Sequence, residues 1–129
     1  MSASYNPLVA PDQEEWLLLD ESERIEMVKA FHKKHRIRLP NPQLHAGMHT
    51  VIENQLAEGE DAVVRAMDRL MAQGLDRHDA IHALSWVFTM QLVEKMKSPS
   101  KSPEISLNDS YLAAVERVSA QDWLNSQSA

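Results

Sequence analysis

No cysteine occurs in the 129 residues. Disulfides, thiolate metal sites and cysteine nucleophiles are therefore excluded, and any bound metal must be held by histidine, carboxylate or water. Glycine is scarce, at three residues, and aromatics make up only 5% of the chain. With so few aromatic or β-branched runs there is little material for a sheet, so an all-α fold is expected. No run of about eighteen apolar residues is present, and the opening "MSASYNPLVAPDQEEW" lacks a charged segment followed by an apolar one. Neither a membrane span nor an export signal is expected, and a cytoplasmic location fits these absences. Positive charge is also lacking: the formal net charge is −6. That argues against a general affinity for nucleic acid, because binding phosphates depends on displacing their counterions with Lys and Arg.

What is present is helical periodicity, with 43% hydrophobic and 25% charged residues, in a length that suits one domain. The expected layout is a flexible arm over 1–10, a helical bundle over 11–97, a linker over 98–107 ("KSPSKSPEIS" being polar and proline-punctuated) and a docking C-terminal helix and tail over 108–129. Asp12 with Glu15, and Asp20 with Glu23, have the spacing that caps a helix start, so two helical pieces should precede the break at Pro40 and Pro42. Asn41 followed by Pro42 starts the next helix, about 42–58, ending at Gly59. Its apolar positions Leu44, Met48, Val51, Ile52 and Leu56 are expected to face the core. A helix over about 60–73 ends at Gly74; Asp76 with Asp79 caps another over about 77–97; and a last one runs from about 108 to 124. The fold expected is a small antiparallel helical bundle of about four to six helices.

On this framework "LHAGMHTVIENQL" places His45, His49 and Glu53 four residues apart, and "RHDAIHAL" repeats the interval with His78 and His82. Residues four apart lie one turn apart on the same helical face, about 6 Å along the axis, so each pair of imidazoles can converge on one ion. Up-down-up packing would make the two histidine helices parallel. Counted from Asn41 and Asp76 at about 1.5 Å per residue, all four rings then fall within about 3–12 Å of the same bundle end. Nearness to helix N-termini favours the neutral imidazole that ligates metals. Glu53 is expected to complete the shell or to orient His49, and it is the candidate proton acceptor if a coordination position is open to water. Such a donor set suits zinc, iron, manganese, nickel or copper, and spacing does not choose among them.

The competing reading is a metal-free polar network of the same histidines with Glu53 and water, in a non-enzymatic interaction module that could pair as a homodimer. The motif is more specific than a single HxxxH and less specific than HExxH, since no glutamate follows the first histidine of either pair. Over residues 41–92 the chain resembles a bacterial family of small helical proteins of unknown function that carry HxxxHxxxE followed by HxxxH. That resemblance implies a compact helical fold and a shared polar site at His45, His49, Glu53, His78 and His82, without assigning an activity. Elsewhere, "HKKHRIR" over 32–38 reads as a solvated basic helix end, with His32 and His35 on the surface. The methionines near apolar stripes and Trp16, Trp86 and Trp123 read as packing. Ser85 lacks the elbow motif of a nucleophile.

Overall fold

The computed structural model describes residues 4–37, 39–97 and 106–127. These form seven helices and no strand: α1 (Gln13–Leu18), α2 (Glu21–Lys34), α3 (Pro42–Ala57), α4 (Asp61–Ala72), α5 (Arg77–Lys97), α6 (Leu107–Val115) and α7 (Ala120–Gln127). The fold is all-α. No helix among the described residues is long and apolar enough to cross a membrane. Residues 1–3 of the expected arm and 98–105 of the expected linker lie outside the described residues. The chain divides into two compact units, one ending at Glu60 and the other beginning at Asp61. That boundary falls inside the span 11–97 set out above as one bundle.

In the first unit, α2 packs along α3, and α1 also lies against α3. Asp12 Oδ1 accepts from Glu15 N at 3.0 Å, the Asp20 N–H donates to Glu23 Oε1 at 3.1 Å, and Asn41 Oδ1 accepts from Leu44 N at 3.0 Å. All three helix starts are therefore where capping chemistry puts them. The buried cluster is Tyr5, Trp16, Val28 and Ala46, flanked by Leu19, Ile25, Met27, Phe31 and Ala57. Asn54 ties the three helices together, its Oδ1 accepting from Trp16 Nε1 and from Arg24 Nη1, each at 2.9 Å. Helix α2 ends on Arg36 at φ 56°, with Ile37 N bonding His32 O at 2.9 Å and Arg36 N bonding Lys33 O at 3.1 Å. This is the left-handed helix stop that glycine usually provides.

Within the span expected as an arm, Tyr5 is buried and hydrogen-bonded to α3. The apolar stripe of α3 is buried only in part: Ile52 is fully buried, Met48, Val51 and Leu56 are half-buried and Leu44 is 61% exposed, while Ala46, His49, Thr50 and Glu53 are buried as well. Positions 46, 49, 50 and 53 do form one helical face, but most of its side chains are polar, so hydrophobic spacing captures the inner side only in part.

The second unit packs α4, α5 and α6 on one another and α7 on α5. Val63, Ala66 and Leu70 of α4, Ile81 and Leu84 of α5, and Tyr111 and Val115 of α6 are all fully buried. Phe88 meets Tyr111 edge-on, with ring centroids 5.2 Å apart. Gly74 takes φ 108° after α4, and Asp76 Oδ1 caps α5 through Asp79 N at 2.8 Å. The single last helix expected over 108–124 is instead two. Ser119 and Asp122 cap each other reciprocally at 3.0 Å and restart the helix. Arg69 Nη2 meanwhile donates to Val115 O at 2.7 Å and Val118 O at 3.0 Å, satisfying carbonyls freed by the break.

Candidate functional site

In the first unit α3 carries His45, His49 and Glu53, and α2 carries His32. His49 and Glu53 are buried at 0% and 1% exposure, and His45 is half-buried. They are joined by a residue for which the sequence pattern gave no role. Tyr5 OH donates to Glu53 Oε2 at 2.6 Å and lies 3.1 Å from His49 Nδ1. Since the hydroxyl proton is directed to the carboxylate, its oxygen accepts from His49, which places the imidazole proton on Nδ1. The result is a relay, His49 Nδ1–H to Tyr5 O–H to Glu53. It orients the His49 ring through Nδ1.

His32 is held the same way by different means. Its Nδ1 lies 2.9 Å from Val28 O, and a carbonyl can only accept, so in the neutral ring Nε2 carries the lone pair. His32 is 3% exposed, which corrects the expectation of a surface residue. A signal was present in the sequence: His32 follows Val28 by one turn and continues the apolar side of α2. His32 Nε2 lies 3.2 Å from His45 Nε2. The three rings form a compact set, with centroids 4.6 Å apart for His32 and His45 and 4.9 Å for each of the other two pairs. His35 lies outside this set, exposed and stacked on Phe31 at 4.1 Å.

In the second unit His78 and His82, one turn apart on α5, have ring centroids 4.3 Å apart and are half-buried. Arg77 beside them is buried at 8% exposure, an unanticipated charge at the helix start. Asp79, which points around the helix from His78, has its carboxyl raised above the usual range, first by burial and then by the charge of Asp76. The Ser85 hydroxyl is buried without a hydrogen-bond partner among the described residues, and no general base is placed on it.

Each unit thus presents imidazoles at one-turn spacing, and in the first unit the orientation of two rings is set by oxygen acceptors on Nδ1. Imidazoles oriented through one ring nitrogen by an oxygen partner are what a transition-metal ion requires of its ligands. No protein-family model, curated protein or solved structure matches the chain.

Proposed function

We propose that the chain binds a divalent transition metal through imidazoles drawn from His32, His49, His78 and His82. The observation that carries this reading is the pair of oriented rings in the first unit. His32 and His49 each commit Nδ1 to an oxygen, through Val28 O and Tyr5 OH, and are thereby oriented as metal-ligating imidazoles commonly are. Glu53 then serves as the carboxylate at the end of the Tyr5 relay, orienting His49 rather than ligating through the oxygen that Tyr5 occupies. Imidazole ligands suit zinc, nickel, copper or ferrous iron better than magnesium or calcium, which favour oxygen. When bound, such an ion supplies Lewis acidity toward a water or a carbonyl. The chain's own residues orient the rings, Val28 O bonding His32 Nδ1 and Tyr5 OH bonding His49 Nδ1. Kinship with the bacterial HxxxHxxxE and HxxxH family belongs to the same proposal and rests on the five motif positions.

A second reading, a metal-free histidine network in an interaction module, is favoured by the His32–His45 contact. At 3.2 Å the two Nε2 atoms are at hydrogen-bond distance. Two nitrogens about 2.0–2.1 Å from one tetrahedral ion would also stand about 3.3–3.4 Å apart, so the contact fits either state.

The test is metal content by inductively coupled plasma mass spectrometry, on untagged protein prepared without chelator. About one first-row metal per chain is expected for a site of this donor count. It should fall in His32→Ala, His49→Ala, His78→Ala and His82→Ala. Full metal in both His49→Ala and His82→Ala would overturn the reading. No uptake of zinc, iron, nickel or copper by the parent protein would favour the network.

A further inference from the structure

The first unit contains a pocket of about 460 Å³ between the arm and the outer face of α2. Leu8, Met27, Ala30 and Phe31 form its apolar walls, and Lys34 and His35 stand at its α2 end. The volume lies in the range of small-molecule sites, which pair an apolar lining with a few polar groups that fix orientation. Here Ser4 and Asn6 are neutral and the basic groups are Lys34 and His35. No carboxylate is among the lining residues, although the chain as a whole is acidic.

The polar end is also preorganised. His35 Nδ1 is held by Phe31 O at 2.9 Å, and its ring lies over Phe31 with an interplanar angle of 29°, leaving the Nε2 edge to meet a ligand. The Arg36 stop ends the helix directly after Lys34 and His35, so both stand at a fixed turn. A basic helix end by itself is an ordinary solvated feature. A concave apolar pocket opening beside it, lined by an aromatic pair, adds a place for the body of a ligand.

We propose that this pocket binds a small organic anion, with its acid group at Lys34 and His35 and a flat or short aliphatic body against Met27, Ala30 and Phe31. The pocket borders the relay described above, because Tyr5 lines it while the Tyr5 hydroxyl holds His49 and Glu53. An occupant therefore lies against the residue that orients His49. Binding itself does not require a metal.

The probe is 4-phenylbutanoate, titrated calorimetrically into the full chain after chelation and again after zinc addition, with the neutral 4-phenylbutanamide as its isostere. The expected result is saturable binding of the acid, about tenfold or more tighter than the amide, as removal of a charge-assisted contact implies. Lys34→Gln should weaken the acid and leave the amide unchanged. Ala30→Trp, at an exposed helix position, should fill the pocket and abolish binding of both while the helical circular dichroism is preserved. Equal affinity for acid and amide, undiminished binding by Ala30→Trp, or no saturable binding would each overturn the proposal. Metal per chain measured on the same samples keeps the two readings apart. Loss of metal binding leaves the pocket standing, and loss of ligand binding leaves the metal site standing.

Discussion

Helices α3 and α4 are of similar length and were read from the same kind of apolar spacing, yet they bury different chemistry. The buried residues of α4 are Ala62, Val63, Ala66, Met67 and Leu70, all apolar. Those of α3 are Ala46, His49, Thr50, Ile52 and Glu53, while Leu44, the first apolar residue of its stripe, is left 61% exposed. The first helix to be understood by periodicity alone is therefore α4. In α3 a polar face is buried because its groups satisfy one another: Tyr5 with Glu53 and His49, and Thr50 Oγ1 with Ala46 O at 2.8 Å. A helix that turns polar groups inward departs from the usual apolar-inward rule, as functional sites commonly do.

The contrast can be sharpened by mutation. Leu70→Ala in α4 should give the largest effect, a loss of about 2–5 kcal/mol in urea unfolding from lost burial and a residual cavity, with no specific effect on metal affinity. Tyr5→Phe should act the other way round. Removing one hydroxyl from the relay should cost only about 1–3 kcal/mol in chelator, but weaken metal affinity about 10–100-fold, as loss of an orienting partner does. If Tyr5→Phe binds zinc as tightly as the parent protein, the buried face of α3 is structural and the contrast with α4 collapses.

Arg36→Gly tests the end of α2 and should stabilise the protein by about 1 kcal/mol, because glycine takes the left-handed conformation at φ 56° without the Cβ penalty. A lower melting temperature would mean that the Arg36 side chain makes a contribution exceeding its backbone strain. The smallest effect is expected at Asp79, whose carboxyl is raised by burial and by Asp76. An acid whose folded-state pKa is raised binds protons more readily in the fold than in the unfolded chain. Its stability penalty is full above the folded-state value and disappears as pH falls toward the unfolded one. Asp79→Asn should therefore raise the melting temperature slightly at neutral pH, with the gain shrinking in mild acid; a gain that grows in acid would reverse the sign.

Most of the secondary structure was legible because capping is local. Asp12, Asp20, Asn41 and Asp76 each announced a helix, and α5 runs over 77–97 as its signals required. The break between α6 and α7 was legible too, in the Ser119–Asp122 spacing, but the apolar positions Val115, Val118 and Trp123 carried a continuous pattern across it. The histidine and glutamate positions on α3 and α5 were visible as motifs. Tyr5 was not, since its partners lie 44 and 48 residues away and a lone aromatic in a polar arm has no period to reveal them. His32 was obscured by its neighbours: Lys33, Lys34, His35 and Arg36 gave the segment the character of a solvated charge run, although its own position belonged to the inner face of α2.

The Tyr5 hydroxyl also has a kinetic meaning. His49 cannot rotate its ring or exchange its Nδ1 proton freely while the hydroxyl is in place, so each such event must wait for the arm to lift. How often residues 4–7 open then sets an upper limit on how often this buried imidazole is reset. The exchange lifetime of the His49 Nδ1 proton, seen by nitrogen-15 magnetic resonance, is in that sense a clock for the fraying of a segment more than forty residues away.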